Sequence, residues 1–422
     1  MNLLVIGGGG REHALVRKLA EDAPHATVYC APGNPGTARH GRNVPVAAGD
    51  IDLLVRLARQ LEIDLTVVGP EQPLADGLAD AFAAAGLPIF GPGAAAARIE
   101  ASKAFAKQLM RDCGVATADF RVFREPDAAR AFAAELEPPI VVKASGLAGG
   151  KGALICEDHG QAGTAIYDLM EEARFGAAGE EVVIEEFMRG QELSVFFLAD
   201  GRNAVPLVPA RDHKRRFAGG AGPNTGGMGA FAPVPGVDAQ LVDRVRREIA
   251  EPVLAGLADR GAPYRGFLYA GLMLTDEGPR VVEFNCRLGD PEAQVVLPLM
   301  ADSLLEPMRA VAGGGYVDGW RPAAPERSAL TTVVVSGGYP GSYRTGRPID
   351  LPDDLEGPDV RLYHAGTRDD GDRLVTDGGR VFGVTGLGAD LETAGERSRA
   401  AAARIRFDAA DWRSDIGRPE GD

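Results

Sequence analysis

Polar side chains that suit metal and phosphate chemistry stand together in the stretch Val281–Glu292, directly after an apolar run. Alternate side chains of a strand share a face, so Glu283, Asn285 and Arg287 are predicted to point the same way. A carboxylate and an amide oxygen are hard donors that suit Mg²⁺, and a guanidinium fits a carboxylate or a phosphate. The stretch therefore predicts a site for a metal already held by phosphates. The alternative is an edge strand with solvated charges.

The end of this stretch predicts a turn that opens a helix. In Gly289-Asp290-Pro291, Asp290 has the residue type of a helix N-cap, and Pro291 is favoured at the first helical position. We therefore expect Asp290 to cap a helix that begins next to the predicted metal strand.

A glycine-rich segment, Ser145–Gly152, lies between two predicted strands. A P-loop would need Ser or Thr after its lysine and then a helix, whereas a glycine and a β-rich run follow Lys151. We predict a hairpin flap with Lys143 on the strand below it and Lys151 at its tip, closing over a polyphosphate. A flexible hairpin without a ligand is the alternative.

Acidic residues mark the next two predicted strands. The apolar strand Val182–Phe187 ends in Glu185 and Glu186, and after a turn Glu192 begins a strand that runs to Leu198. A strand ending in such a hinge offers backbone hydrogen bonds to a purine edge, and an acid there reaches ribose hydroxyls. Solvated acids at a strand end are the alternative, which these residues taken alone favour.

Basic residues occur at two further places. Lys103 lies in the first turn of the predicted helix Ser102–Cys113, where a cation opposes the helix dipole. A solvated lysine is the default there, and an anion contact would explain its position. The cluster Asp212–Arg216 precedes glycine-rich loops up to Gly229, which predict substrate contacts through backbone amides and small polar side chains. His213 is a base, a metal ligand or a positioning hydrogen-bond partner.

The elements that position these residues begin with an alternating pattern of strands and helices in residues 1–100. This pattern predicts a doubly wound parallel sheet with ligand loops at the carboxyl ends of its strands. The loop Gly7–Gly10 fails the dinucleotide pattern, because Glu12 or His13 occupies the third glycine position. Backbone amides at this loop and at Gly33–Gly36 suit a phosphate-bearing small molecule.

The periodicity of the whole chain also predicts individual helices and strands. Beyond residue 100 it predicts a second sheet, a long helix and a separate α+β region. Predicted helices cover Ile51–Leu61, Leu74–Ala85, 238–260, 291–312 and Leu391–Ile405, and Gly91–Gly93 with the alanines after it is expected to be a link. Predicted strands of the last region are Thr331–Val335, Ser342–Ile349, Leu362–Gly366 and Val381–Thr385. The final ten residues are expected to be loose.

Composition limits the classes of function. A chain of 422 residues is too long for one core, and its net charge of −15 argues against a general nucleic-acid binder. Cys30, Cys113, Cys156 and Cys286 are widely spaced, which predicts thiols in a reducing compartment. No apolar run approaches the ~18 residues of a membrane span, and the chain shows no signal-peptide pattern. We expect a cytoplasmic protein, as a monomer or weak dimer.

Several long motifs in this order resemble the phosphoribosylamine–glycine ligase family of ATP-grasp enzymes. The resemblance runs from Met1 to about Gly417, and it is carried by Val5–Ala14, Ala31–Thr37, Val68–Glu71, Asp212–Arg215, Gly222–Gly229, Glu283–Arg287, Gly289–Glu292, Gly337–Gly341 and His364–Thr367. It implies a Rossmann-like N-terminal domain at 1–101, an ATP-grasp region at 102–325 and a C-terminal domain at 326–422. The ATP-grasp region would comprise a small ATP lobe at about 120–190 and a catalytic lobe at about 191–325.

The resemblance also implies the reaction and the residues that serve it. ATP would phosphorylate glycine to glycyl phosphate, and the amine of 5-phosphoribosylamine would then attack, giving glycinamide ribonucleotide, ADP and phosphate for purine synthesis. Glu283 and Asn285 would bind Mg²⁺ or Mn²⁺. ATP would be held by Lys103, Lys143, Gly149, Gly150, Lys151, Gly152, Glu185, Glu186, Phe187 and Glu192. Catalytic candidates are Arg287, Asp212, Lys214 and Asp290. Substrate candidates are Gly8, Gly9, Gly10, Gly33, Asn34, Gly36, Asn224, Thr225, Gly226 and Gly227.

The sequence departs from the family pattern in three places. Many ATP-grasp relatives carry a metal carboxylate about twelve residues before the strand glutamate, where this chain has Gly271. Ser145 replaces an acid at the start of the flap, and Arg216–Gly220 lacks the acids that are commoner there. Gly271 is compatible with the family but leaves open which residues bind a second metal. The other two changes remove no required group, so activity is expected, with shifted affinity.

Two other functions are compatible with parts of the pattern. A ligase of the same fold that acts on another nucleotide precursor is the closest rival, and the segments Asp212–Arg215 and Gly222–Gly229 favour the glycine ligase. A non-catalytic nucleotide-binding regulator is the second. The chain keeps both metal ligands and the phosphate lysines, which argues against a regulator because unpaired buried charge is costly.

Overall fold

Parallel strands and helices alternate through the first hundred residues, in a computed structural model that describes residues 1–418. The strands are β1 (Asn2–Gly7), β2 (Thr27–Pro32), β3 (Arg42–Asn43), β4 (Leu65–Val68) and β5 (Ile89–Phe90). The helices are α1 (Gly10–Asp22), α2 (Ile51–Gln60), α3 (Glu71–Ala75), α4 (Leu78–Ala84) and α5 (Ala94–Ala101). The strand order β3–β2–β1–β4–β5, with parallel pairs throughout, confirms the predicted parallel sheet.

Two elements in this region differ from the prediction. The single helix expected over Leu74–Ala85 is divided into α3 and α4, because Gly77 between them has a φ of +92°. The alanine run after Gly93 is helix α5 rather than a link. Alanine has the highest helix propensity, and Ala96, Ala97 and Ile99 are buried on one face of that helix.

The next region forms an antiparallel sheet with its own core. It contains α6 (Lys103–Asp112), β6 (Phe120–Phe123), α7 (Pro126–Ala133), β7 (Ile140–Ala144), β8 (Ala153–Cys156), α8 (His159–Met170) and β9 (Val182–Glu186). The strand order is β6–β9–β7–β8. Ser102 caps α6, its Oγ accepting from the Phe105 amide at 3.2 Å. The β7–β8 hairpin carries the predicted glycine flap.

A second antiparallel sheet, ordered β11–β10–β16–β17, faces the first. The elements here are β10 (Gln191–Asp200), β11 (Ala204–Pro206), β12 (Arg211–Asp212), β13 (Arg215–Phe217), β14 (Ala221–Asn224), β15 (Gly229–Ala232), α9 (Ala239–Val245), α10 (Glu251–Asp259), β16 (Arg265–Thr275), β17 (Gly278–Asn285), α11 (Ala293–Leu299) and α12 (Leu305–Ala312). A π-helical segment, Arg246–Ala250, joins α9 to α10, so the long predicted helix is continuous.

The last region shares its sheet with residues from the middle of the chain. Its elements are β18 (Ser328–Val335), β19 (Val360–His364), β20 (Thr367–Asp370), β21 (Arg373–Thr376), β22 (Arg380–Gly388) and α13 (Leu391–Ala402). The sheet is ordered β12–β15–β18–β22–β19. Gly229–Ala232 therefore pairs directly with β18, almost a hundred positions later.

Three predictions for this region are wrong or incomplete. Ser342–Ile349 is not a strand, in keeping with glycine and proline in its sequence, while the β20–β21 hairpin was not predicted. Residues at the start of the expected loose end are buried: Arg413 is 2% exposed and donates to Asp415, and Ile416 is fully buried. Residues 419–422, also expected to be loose, lie outside the described residues.

All four cysteines are free thiols. Across residues 1–418, no helix combines the length and the apolar character that a membrane crossing requires.

Candidate active site

A cavity of about 500 Å³ lies between the two antiparallel sheets. It brings together residues from the flap, from the strand ends and from the glycine-rich loop that were predicted from separate motifs. The predicted residues that line it are Lys103, Lys143, Gly149, Gly150, Gly152, Glu185, Glu186, Phe187, Glu192, Asp212, Lys214, Asn224, Thr225, Gly226, Glu283, Asn285, Arg287 and Asp290.

The other predicted residues lie beside this cavity rather than on its wall. Lys151, at the flap tip, donates to the Pro340 carbonyl at 3.2 Å. Gly227, with a φ of +111°, lies against Pro291. The remaining ones belong to the two N-terminal glycine loops and are Gly8, Gly9, Gly10, Gly33, Asn34 and Gly36.

The two N-terminal glycine loops pack on each other and reach the cavity through Asp290. Asn34 is buried, and its amide nitrogen donates to the carbonyls of Gly8 and His364, both at 2.9 Å. A Cβ on Gly9 would lie 3.5 Å from an Asp290 carboxylate oxygen. The side chain of Asn34 therefore orders the loops, and the backbone of Gly9 approaches a cavity residue.

The end of β17 presents the predicted polar face to the cavity. Glu283, Asn285 and Arg287 line it, together with the largely buried Phe284, whereas Cys286 is 2% exposed and is not part of the wall. The amide nitrogen of Asn285 donates to the Phe284 carbonyl at 2.9 Å, which leaves its oxygen as the available acceptor. Within residues 1–418, the Glu283 carboxylate has no hydrogen bond or ion pair.

These two oxygen donors fit a divalent cation that takes its other ligands from phosphates and water. Among the described residues, no group of three or more His, Cys, Asp or Glu side chains is arranged to hold a metal alone. Gly271, at the position where many ATP-grasp relatives have an acid, pairs with Glu283 across β16 and β17. Glu283 and Asn285 are therefore the oxygen donors that the end of β17 offers to a cation in this cavity.

Arg287 joins the metal strand to the N-terminal region. Its Nε lies 3.2 Å from Glu71, and its Nη2 lies 2.9 Å from Glu100. Burial raises the pKa of Glu100, although Arg287 opposes this shift. The guanidinium therefore neutralises a buried acid while it also lines the cavity.

Three lysines and Glu185 form the cationic wall of the cavity. Glu185 is 2% exposed and makes ion pairs with both Lys143 and Lys107. Burial opposes its ionisation, but the two ammonium groups outweigh burial and lower the pKa of the carboxyl. Lys103 donates to the Gly146 carbonyl at 3.3 Å, at the base of the flap.

Lys107 is a cavity residue that the sequence prediction missed. It lies on α6, four residues after Lys103, a spacing that places both side chains on one helix face and could have identified it. Its ammonium also donates to Thr117 at 2.7 Å. Burial lowers the pKa of Lys107 to about 8, although Glu185 opposes this shift.

We expect a Lys107→Met variant to raise the KM for ATP about tenfold, with a smaller change in kcat, since ~1.4 kcal/mol of binding is one order of magnitude. Without Lys107, Glu185 would pair with Lys143 alone. The Lys143 ammonium would then be bound more strongly by this carboxylate and would be less available to a phosphate. Steady-state kinetics measures this change. A Lys107→Arg variant keeps the charge and serves as control, and an unchanged KM in Lys107→Met would contradict the expectation.

A second cluster surrounds Lys214 at the far side of the cavity. Its ammonium pairs with Glu192 and lies 3.2 Å from Asp212. Lys214 keeps its proton, because these two acids outweigh the burial of the ammonium and raise its pKa well above the usual value. Glu192, one of the residues expected to hold ATP, is therefore linked to Asp212 through Lys214.

Asp290 is not the helix cap predicted for it. Helix α11 begins at Ala293, and the Asp290 carboxylate instead accepts from Gln294 at 2.8 Å and pairs with Arg380 at 3.3 Å. Arg380 comes from β22 and also donates to the Gly226 carbonyl. No local pattern could identify Arg380, because its partners are contributed by distant parts of the chain.

Comparison with known proteins places the whole chain in one family. Models of the phosphoribosylglycinamide synthetase N, ATP-grasp (A) and C domains match residues 1–100, 101–293 and 329–419. A phosphoribosylamine–glycine ligase from Allochromatium vinosum is 48% identical over 99% of this chain and 98% of its own. One from Vibrio cholerae is 44% identical over 99% and 98%.

Solved structures agree with this placement. A phosphoribosylamine–glycine ligase from Thermotoga maritima superposes with a TM-score of 0.87 at 34% identity, covering 99% of this chain and 100% of that one. A biotin carboxylase domain from Hydrogenobacter thermophilus has a TM-score of 0.74 at 16% identity, covering 97% and 91%, which shows a shared fold. The chain therefore belongs to the phosphoribosylglycinamide synthetase family of ATP-grasp ligases.

Proposed function

We propose that this protein joins glycine to 5-phosphoribosylamine with ATP, through glycyl phosphate, and releases glycinamide ribonucleotide, ADP and phosphate. The observation that carries the proposal is one cavity that is lined both by Lys103, Lys143, Glu283 and Arg287 and by the loop residues 224–226. Cations that suit phosphate and a loop that suits the acceptor substrate thus share one cavity, as direct transfer between two substrates requires.

The nucleotide half of the reaction is assigned to the flap and the cationic wall. Lys103 and Lys143 would neutralise the phosphates under the flap, and Phe187 and Glu192 would contact the base and the ribose. Glu283 and Asn285 would hold Mg²⁺ or Mn²⁺, which supplies charge neutralisation at the polyphosphate when it is bound. Arg287 would stabilise the charge on the phosphoryl group as it moves to the carboxylate of glycine.

The acceptor half is assigned to the loop residues and to the N-terminal glycines. Backbone amides of Gly8 and Gly10 are donors of the kind that bind a sugar phosphate, whereas those of Gly9 and Gly226 donate to Glu12 and to the Tyr339 hydroxyl. Asp212 and Lys214 form an ion pair at 3.2 Å beside the loop, where they would orient the amine and the acyl group. Asp290 pairs with Arg380, which also donates to the Gly226 carbonyl, and this pair would order the loop residues 224–226.

Isotope transfer tests the acyl phosphate directly. We expect glycine labelled with ¹⁸O in its carboxylate to pass one label into the released phosphate, because the carboxylate oxygen attacks phosphorus and later leaves with it. Mass spectrometry of the phosphate measures the label. Phosphate release should require ATP, a divalent metal, glycine and phosphoribosylamine together.

Two results would overturn parts of this proposal separately. Unlabelled phosphate, formed together with glycinamide ribonucleotide, would refute the acyl-phosphate route and keep the overall reaction. Phosphate release that is independent of glycine would refute the reaction itself. A reaction mixture in which alanine replaces glycine is the matched control for the substrate.

The proposal also covers the domain boundaries, the cellular location and the oligomeric state. We assign residues 1–101 to the N-terminal domain, 102–325 to the ATP-grasp region and 326–422 to the C-terminal domain, with lobes at about 120–190 and 191–325. The protein would act in the cytoplasm as a monomer or weak dimer, without membrane or nucleic acid. Light scattering during size-exclusion chromatography measures the mass, and a stable higher oligomer would contradict the expectation.

A further inference from the structure

We propose that Glu292 is the base that accepts the proton of the attacking amine, an inference that rests on the function proposed above. Glu292 follows the turn after the metal strand, its side chain lines the cavity, and the residue is 5% exposed. It thus stands at the wall that the amine would face.

Glu292 differs from most other acids of the cavity because its carboxylate has no ion pair with a residue in the range 1–418. Those with a cationic partner within 4.0 Å are Glu71, Glu100, Glu185, Glu186, Glu192, Asp212 and Asp290. A carboxylate held by a cation is a weak base. Within residues 1–418, Glu283 and Glu292 line the cavity without an ion pair, and Glu283 is assigned to the metal.

The position of the Glu292 carboxylate is fixed by its neighbours. Ser194 Oγ donates to it at 3.4 Å and itself lies 3.1 Å from the hydroxyl of Tyr269. A Cβ at position 289 would overlap the carboxylate, so Gly289 is needed for this close approach. The carboxylate is therefore positioned by contacts that leave it without a counter-charge.

Several charged or titratable groups face Glu292 from the surrounding elements, and they are Asp212, Lys214, Tyr269, Arg287 and Arg380. Burial, followed by the nearby Asp212 carboxylate, raises the pKa of Glu292 to about 7, although Lys214 and Arg287 oppose this shift. A base with a pKa near the working pH is the most effective proton acceptor.

The proposed step balances in atoms and charge. The amine nitrogen of phosphoribosylamine bonds to the carbonyl carbon of glycyl phosphate, and the bond from that carbon to the phosphate oxygen breaks. Phosphate leaves with the electron pair of this bond. The proton lost by the nitrogen moves to a carboxylate oxygen of Glu292, which later returns it to water.

A Glu292→Gln variant tests the step with two nucleophiles. With phosphoribosylamine we expect kcat to fall by about 100-fold or more, the usual contribution of a general base. With hydroxylamine, whose low basicity makes a protein base unnecessary, formation of glycyl hydroxamate should stay within about twofold of the wild type. Glu306→Gln, an exposed acid on α12, is the matched control for the Glu-to-Gln change.

A pH profile provides the second measurement. For the wild type, kcat/KM for phosphoribosylamine should rise about tenfold per pH unit below a pKa near 7 and level off above it, since the ionised carboxylate is the active form. Glu292→Gln should lose this dependence. Equal losses with both nucleophiles, an unchanged kcat or an unchanged pH profile would each overturn the role. A wild type that forms no glycinamide ribonucleotide would instead refute the proposed function.

Discussion

A Glu283→Ala variant is expected to lose two orders of magnitude or more in kcat, because it removes a carboxylate ligand of the metal that neutralises the polyphosphate. Glu283 lines the cavity and has no hydrogen bond or ion pair within residues 1–418. Its loss breaks no hydrogen bond or ion pair among those residues, so the melting temperature should change little. Activity measured against Mg²⁺ concentration should show a higher metal requirement in the variant.

The β16–β17 hairpin offers a control for this substitution. Glu277 lies at its turn with a side chain that is 80% exposed, and Glu277→Ala should keep wild-type turnover. Near-normal turnover in Glu283→Ala would remove that residue from the site. A large drop in melting temperature would show a structural role instead.

An Arg287→Met variant is expected to lose both activity and stability. Removal of one partner of a buried ion pair costs about 3 kcal/mol or more, and Glu100 would be left buried without its counter-ion. Turnover should fall by about 100-fold, since the variant also lacks a cation for the moving phosphoryl group. Chemical denaturation and steady-state kinetics measure the two effects.

A second substitution separates these effects. Glu100→Gln removes the buried charge yet keeps an oxygen that can accept from the Cys286 amide, a bond of 2.7 Å in the structure. The Arg287→Met/Glu100→Gln protein should therefore regain most of the stability and none of the turnover. Recovery of turnover would show that Arg287 acts only through the fold.

Stability against pH provides an independent check on the Arg287→Met protein. Glu100 in the folded chain has a raised pKa, so the folded state holds its proton at a higher pH than the unfolded state does. Without Arg287 this shift increases. The variant should therefore become more stable, relative to the wild type, as the pH falls from 7 towards 5. The double variant should show a smaller gain, which comes from Glu71, because Arg287 no longer lowers the pKa of that carboxyl.

Local pattern was sufficient for much of the site. The two-residue period of the strand placed Glu283, Asn285 and Arg287 on one face, and the glycine composition of residues 145–152 identified the flap. Partners brought together by the fold were not predictable in this way. Arg287 and Glu71 are 216 positions apart, and Arg380 is 90 positions from Asp290.

The errors in the fold have a related cause. Asp290 has the residue type of a helix cap, but its carboxylate forms an ion pair with Arg380, which belongs to another sheet. Arg413 stands in a polar chain end that suggests disorder, yet it donates to the carbonyl of Arg215 and to Asp415. Propensity describes a segment in isolation, and here long-range polar contacts override it.

The pairing of β15 with β18 has a consequence for the order in which the molecule is assembled. Gly229–Ala232, which follows the glycine-rich loop, needs a neighbour strand made about a hundred residues later, and Gly417 closes the same region through His213. The sheet that carries the flap is complete by Glu186. A chain emerging from the ribosome would thus form this sheet before the rest of the cavity. Its acceptor half would become functional only after almost the whole polypeptide has been synthesised.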